Sequence, residues 1–318
     1  MIKSLNKKNI GIFLLAYKRI SHLKRNIYNL NKYLNKKDKV FIFADNFSLN
    51  QDKETINNIK SLKVYLRSLD KKKFKIIFKN KRYGLKKNWY EAYDYMFRRY
   101  NKVICLEDDI IINKNFLNFM YFYLNYYEKN KNIMSITGFG TKLKHNTKFK
   151  YDCYLTKRPM AWGQASWKRV WKKFKSFKFN HKNILKDKRK LISGGQDLIV
   201  ILIMDYLKLA NSFQILWTYF VIKNNGLCIN PTSSLVKNIG YDGTGFHTKK
   251  TKSFPISKIK KNSIRRMKKV IYDNDLNNLF NRSFEIKKLT FIIFYYLPVK
   301  IVKLLISLKI YFSQNEKK

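Results

Sequence analysis

The 318-residue chain is short of four things: it has 3 cysteines, 4 prolines and 11 glycines, and only 20 acidic residues against 68 lysines and arginines. Cys105, Cys153 and Cys228 are far apart, odd in number and without a C-x-x-C pair. That excludes a disulfide scaffold and a cysteine-rich zinc site, and fits a reducing compartment. So little proline and glycine excludes a collagenous or low-complexity chain. Long apolar runs are missing too. The first, Ile10–Ala16, is too short for a signal peptide and reads as a buried strand. The apolar stretches near the C-terminus are broken by Pro298, Lys300, Lys303 and Lys309, well short of the roughly 20 residues that span a bilayer.

Apolar residues make up 45% of the chain and aromatics 16%, which excludes wholesale disorder, because disordered chains lack the apolar area to offset ordering entropy. The length suits one large α/β domain with an appendage, or two modest domains. A net charge of +48 invites a nucleic-acid or anionic-membrane partner. Lys, Asn, Ile, Phe and Tyr are abundant together while Ala, Gly, Pro and Arg are scarce, the codon bias of an AT-rich genome, and this takes the larger share of the charge. No helix-turn-helix, RRM or zinc pattern accompanies it, so nucleic acid is not the expected partner.

Strand-like runs alternate with helical patterns through the first half. Ile10–Ala16 is a strand, 20–34 a helix with Ile20, Leu23, Ile27, Leu30 and Leu34 on one face, and Val40–Ala44 a second strand ending at Asp45. A helix over 56–69, a strand over 73–78, a helix over 85–100 and a strand over 102–106 follow. This order, with strands too apolar to face solvent, predicts an α/β fold with a mostly parallel sheet covered by helices on both faces. Ligands in such sheets collect beyond the carboxyl ends of the strands. Farther on, the pattern predicts an aromatic helix over 116–127, a strand over 133–138, a basic loop over 142–150, an apolar helix over 198–209 and strands around Ile229 and Val236.

The last of the early strands runs straight into Glu107, Asp108 and Asp109. Adjacent carboxylates repel one another, and hard cations such as Mn²⁺ or Mg²⁺ bridge one or two of them to substrate phosphates. Such an ion neutralises charge building up on a leaving diphosphate. The alternative is an acidic turn paired with nearby lysines.

The segment VICLEDDIIINKNFLNFM resembles the acidic-motif region of GT-A glycosyltransferases, nearest to bacterial sugar transferases related to the N-acetylglucosaminyltransferase I group and family 2-like enzymes, with E-D-D in the part of D-x-D. Four further segments resemble that family in order: LLAYKRISHLKRNIYNL, NKRYGLKKNWYEAYDYMF, RPMAWGQASWKRVWKKF and NPTSSLVKNIGYDGTGFHT. The likeness spans roughly residues 9 to 248, and it implies metal-dependent, most simply inverting, transfer from a nucleotide sugar, in the first instance a UDP-sugar.

The resemblance assigns roles. Ala16, Tyr17 and Arg19 would form the first nucleotide-contacting loop. Asp45 would accept a hydrogen bond from the base, or be a turn Asp. Asn80, Gly84 and Asn88 would flank the nucleotide, Glu107 and Asp108 face ribose and sugar, and Asp109 bind the metal. Trp162 is given to an acceptor platform, Trp167 and Trp171 to packing. His247 would touch diphosphate or metal from a glycine-rich lid, or be a surface residue. The family's base position falls on Asn211, a neutral amide that cannot take a proton. Asp197 is the substitute, or a cap for the helix after it, and Asp205 a further candidate. Residues 1–250 would form the catalytic domain and 251–318 a basic linker with an amphipathic helical tail. That tail would either lie on an anionic membrane or pack against the protein. The expected partners are a nucleotide-sugar donor and a glycan or lipid-linked acceptor, at the cytoplasmic face of the plasma membrane.

Overall fold

The structure is a computed structural model that describes residues 9–141, 151–180, 186–242 and 265–315. The expected loop over 142–150 and His247 lie outside the described residues, as does most of the linker. The first half is β1 (Ile10–Ala16), α1 (Ile20–Asn31), β2 (Val40–Ala44), α2 (Lys53–Arg67), β3 (Phe74–Phe78), α3 (Leu85–Arg99) and β4 (Lys102–Glu107). Then come β5 (Ile110–Ile112), α4 (Phe116–Tyr126), β6 (Ile133–Thr137), β7 (Cys153–Thr156), β8 (Gln164–Trp167) and α5 (Lys168–Ser176). Helices Lys188–Ile192, Asp197–Tyr206 and Phe213–Lys223 lead to β9 (Leu227–Pro231) and β10 (Val236–Asn238), and helices Asn274–Asn281, Lys288–Tyr296 and Val299–Asn315 end the chain.

Eight strands form one sheet in the order β3-β2-β1-β4-β8-β6-β9-β7. The β3-β2-β1-β4 block pairs in parallel, and β6 pairs with β9 in parallel. Strands β8 and β7 run against their neighbours. The sheet is therefore mixed, mostly parallel. Successive residues of a strand point to opposite faces, and every residue of β2, β6, β7 and β8 is buried, so both faces are covered.

Two packing features position the site. On α1, Leu23, Ile27 and Leu30 are buried at helical spacing, while the amide of Asn26 donates to the carbonyls of Glu107 (3.0 Å) and Ile110 (2.6 Å). Asn29 accepts from the N–H of Ile112 at 2.8 Å, so α1 clamps the backbone on both sides of the acidic triplet. On α3, Tyr93 is buried against Trp171 of α5 and Trp217 of helix Phe213–Lys223, with ring centroids 5.2 and 5.9 Å away. Phe213 stacks on Trp89 at 5.2 Å. This cluster fixes Asn211, just before that helix, beside the start of α3.

Trp217 is fully buried, yet its indole N–H finds no acceptor among the described residues. Trp217→Ala should cost about 3–5 kcal/mol, as large-to-small core changes do. Trp217→Phe should cost much less, because it keeps the ring stack and removes a buried donor without a partner. Urea unfolding of the two variants checks the order.

Candidate active site

The carboxyl ends of β1, β2 and β4 open onto a cavity of about 360 Å³. Ala16, Tyr17, Arg19, Asp45, Gly84, Asn88, Glu107, Asp108, Asp109, Trp162 and Asn211 all line it. Of the residues expected at the site, Asn80, Asp197 and Asp205 do not, and His247 lies outside the described residues.

Asp45 follows β2 and accepts from the backbone N–H groups of Asn46 (2.9 Å), Tyr83 (2.8 Å) and Gly84 (2.8 Å). It staples the loop before α3 to the end of β2, and three bonds leave room for one more on a carboxylate with about four acceptor positions. Gly84 stands at φ +75°, where a side chain is strained, and turns the chain into α3. Asn80 stays behind that loop, its carbonyl accepting from the Asn46 amide at 2.8 Å. Asn88 is buried, and its amide oxygen has no partner among the described residues. Tyr17 accepts a hydrogen bond from Gln51 through its hydroxyl, while Arg82 stands 5.8 Å from its ring.

Charge concentrates at the end of β4. Arg19 donates to Asp108 and, at 2.9 Å, to Asp109. Burial would lower the pKa of this guanidinium, but Asp108 and Asp109 outweigh burial and hold it above its ordinary value. The acids remain in excess. Burial, with Asp109 and Asp108 nearby, pushes Glu107 up to about 8. Burial pushes Asp108 up to about 6 against the opposing pull of Arg19. Asp109 Oδ1 is buried and has no partner among the described residues.

A hard cation bound together with a diphosphate needs only one or two protein carboxylates. Among the described residues no group of three or more His, Cys, Asp or Glu side chains is disposed to hold a metal ion. The orphaned oxygen of Asp109, in a surplus of negative charge, fits the one- or two-carboxylate form.

The closing segment covers the acids. Strand β10 pairs antiparallel with β5, and Ile239 N–H donates to the Asp109 carbonyl at 2.9 Å. His22 of α1 sits 3.0 Å from Asp242 and 3.3 Å from the Ile239 carbonyl, tying this segment to α1. Asn238, Gly240 and Tyr241 thereby join the cavity, and Tyr241 meets Trp162 edge-on at 5.9 Å. Lys18 and Arg82 also line it. Gly240 and Tyr241 belong to the glycine-rich turn expected as a lid and Lys18 to the polar end of β1, whereas Asn238 and Arg82 had no expected role. Lys18 and Arg82 are hidden by the abundance of basic residues, and Tyr241 by a turn read only for its glycines. His22 and Asn26 gave no signal, being ordinary polar residues of an amphipathic helix.

Asp197 is not among the residues lining this cavity, and both its oxygens are held by Arg158, the longer contact being 2.9 Å. Arg158 also stacks on Phe284 at 3.7 Å, so this pair ties the helix Asp197–Tyr206 to the C-terminal region. Gln196, not Asp197, occupies the cap position. Trp167 is buried in β8 with its indole N–H on the Leu124 carbonyl at 2.9 Å, and Trp171 is buried in the aromatic cluster.

No protein-family model and no curated protein sequence matches this chain. Solved structures do. The mannosyltransferase PcManGT from Pyrobaculum calidifontis, in complex with GDP-Man and Mn²⁺, matches at 10% identity and TM-score 0.38, over 67% of this chain and 69% of its own. S. aureus TarS 1–349 in complex with UDP-GlcNAc matches at 11% identity and TM-score 0.42, over 72% of this chain and 57% of its own. The same protein with UDP matches at 13% identity and TM-score 0.42, over 72% and 59%. The chain thus spans less than two thirds of the TarS chains it matches. At these scores the likeness adds nothing to the assignment of the fold, which stands on the strand order.

Gly240 has no room for a side chain. A Cβ there would lie 2.2 Å from Asp109 Oδ2 and 2.8 Å from Arg19 Nη1. Gly240→Ala should push the Asp109 carboxylate off Arg19 and destabilise the fold by about 1–3 kcal/mol, as overpacking does. Thermal unfolding of the variant beside the parent chain checks the loss.

Proposed function

We propose that this chain is a glycosyltransferase that moves a sugar from a nucleotide-sugar donor, in the first instance a UDP-sugar, to a hydroxyl of a glycan or lipid-linked acceptor, with inversion at the anomeric carbon. The observation that carries this reading is the pair of orphaned buried acceptors, Asp109 Oδ1 and Asn88 Oδ1, in a cavity at the strand ends where Arg19 spans two carboxylates. These two acceptors are open to a cation and a hydroxyl donor, and a ribose with a metal-bound diphosphate would supply both. Asp109, with Asp108 beside it, would hold Mn²⁺ or Mg²⁺, which when bound stabilises negative charge on the diphosphate.

The chain's own residues account for the rest. Lys18, Arg19 and Arg82 provide fixed positive charge for phosphate oxygens, Arg19 in the planar fork geometry suited to them. Asp45 has one acceptor position left for a base N–H, and Tyr17 offers a ring face. Asn88 Oδ1 and Glu107 can accept ribose or sugar hydroxyls. Trp162 and Tyr241 wall the sugar end with aromatic surface and exclude water. Inversion requires a single displacement, in which the acceptor oxygen attacks the anomeric carbon from the face opposite the departing diphosphate.

Asn211 favours one second reading. A neutral amide in the cavity, where relatives by resemblance carry a base, would suit a nucleotide-sugar-binding protein that has lost turnover. A donor panel of UDP- and GDP-sugars, scored by nucleotide release with and without Mn²⁺, separates the two. Metal-dependent release is expected, and Asp109→Ala should lower it by at least about 100-fold, the scale of losing a main electrostatic stabiliser. Full metal-dependent turnover in Asp109→Ala would sink the assignment. Binding of UDP with Mn²⁺ but release from no donor would support the second reading.

The tail carries the proposed membrane role. No helix among the described residues is long and apolar enough to cross a membrane. Helix Lys288–Tyr296 exposes Leu289, Ile292 and Tyr296, and the next helix exposes Ile301, Leu304, Leu305 and Leu308. These follow helical spacing, so each helix presents an apolar stripe, with Lys287, Lys288, Lys300 and Lys303 nearby. Apolar stripes beside lysines suit peripheral attachment to an anionic leaflet, which would put the enzyme at the cytoplasmic face of the plasma membrane. Residues 1–250 would then act as the catalytic domain and 251–318 as linker and anchor. Flotation with phosphatidylglycerol-containing vesicles should carry the protein, and pure phosphatidylcholine vesicles should not. Leu304→Glu with Leu308→Glu should abolish flotation without changing nucleotide release from donor in solution.

A further inference from the structure

A second cavity, of about 570 Å³, adjoins the first and shares Asn211 with it. The start of α3 forms a wall common to both: Gly84, Leu85 and Asn88 line the first cavity, Lys86 the second. On the far side stands Asp205, near the end of the helix Asp197–Tyr206. A carboxylate late in an amphipathic helix is expected to face solvent. This one is only 8% exposed, its Oδ1 accepts no hydrogen bond among the described residues, and its nearest cation is Lys86 Nζ at 3.5 Å.

A buried carboxylate oxygen with one cation 3.5 Å away and no hydrogen bond among the described residues keeps acceptor capacity for a ligand. Several other carboxylates near the two cavities are already oriented by protein partners. Asp45 holds three backbone N–H groups, Asp108 and Asp109 hold Arg19, and Asp197 holds Arg158. Lining a cavity beside the donor cavity, Asp205 has the chemistry to accept an O–H. Phe179 and Leu216 add apolar surface of the kind that sugar C–H faces cover.

From this geometry we infer that the second cavity holds the acceptor as a polyhydroxylated sugar ring, and that Asp205 supplies the base missing at Asn211. This inference rests on the proposed glycosyl transfer. The acceptor hydroxyl gives its proton to the Asp205 carboxylate as its oxygen forms the bond to the anomeric carbon. The bond from that carbon to the diphosphate oxygen breaks, and its electron pair leaves with the nucleotide. Asp205 afterwards releases the proton to water. Asn211, between the cavities, positions the hydroxyl by hydrogen bonding and takes no proton. Lys86 Nζ, 3.5 Å from Asp205 Oδ1, fixes the side of the carboxylate that faces α3.

The test uses the full chain with UDP and Mg²⁺, and four probes: glucose, galactose, N-acetylglucosamine and glucuronic acid. Saturation-transfer NMR should show at least one probe bound, and Leu216→Trp, which fills the cavity, should abolish its signal while UDP still binds. Asp205→Asn, which keeps shape and hydrogen bonding, should still bind that probe but transfer to it about 100-fold more slowly, with donor KM unchanged, the scale of losing a general base. The inference is overturned if UDP binds and no probe does, if the probe signal survives Leu216→Trp, or if Asp205→Asn transfers at the wild-type rate. If UDP itself fails to bind, the donor-site reading fails first and takes this one with it.

Discussion

The guanidinium of Arg19 lying across Asp108 and Asp109 is the contact on which the site depends. It follows from strand pairing. β1 and β4 are parallel neighbours with Leu15 opposite Glu107, so the residues after each strand leave the sheet side by side. Arg19 is delivered to the acids by register alone. One guanidinium does not balance three carboxylates, and burial together with that surplus raises Glu107 and Asp108 above their ordinary range. Folding thus leaves electrostatic work undone, and a cation is what would finish it.

The surroundings hold that unfinished cluster still. Asn26 and Asn29 fix the backbone on either side of it, and the β5–β10 pair lays the closing segment over it. Gly240 completes the cover by having no side chain, since any Cβ would strike Asp109. Residues from distant parts of the sequence therefore serve one purpose, keeping buried acids close together against their repulsion. A site spread this widely tolerates little change in sheet register, which fixes the separation of all its parts.

Much of this was legible in the sequence. The strands of the parallel block announce themselves as continuous apolar runs, and the polar groups ending them mark the ligand side. The acidic triplet stands out because acids are rare. The antiparallel strands β7 and β8 were not legible, being four residues each, buried on both faces and without alternation to betray them. Side-chain partnerships were less legible still. Asp197 follows two glycines and invites a ligand, yet Arg158, distant in sequence, claims both its oxygens. Asp205 looks like a solvent-facing helix residue, yet it is buried with Lys86 of α3 beside it. A one-dimensional pattern reports which face of an element is apolar. It does not report which lysine or arginine closes on which acid, least of all in a chain with 68 of them.

That abundance also bears on how the parts cooperate. The helix Asp197–Tyr206 lines the second cavity with its last turn and packs against helix Lys288–Tyr296 of the tail. Lys188, just before it, donates to the Tyr295 carbonyl, and Val302 is buried in the same apolar cluster as Leu198 and Leu202. The tail is therefore no loose appendage, because part of its apolar surface is spent on this helix and the rest stays exposed. A tail lying on a bilayer would hold the second cavity at a set height above the leaflet, within reach of an acceptor carried by lipid. The net charge of +48 then has a use at two scales. On the proposed membrane reading diffuse charge would draw the protein to an anionic surface, whereas cations lining the cavities, Arg19 and Lys86 among them, act on particular carboxylates. Nearly all the lysines could be exchanged for other polar residues without loss of the second effect. Arg19 could not, because among the described residues it is the cation that bridges Asp108 and Asp109.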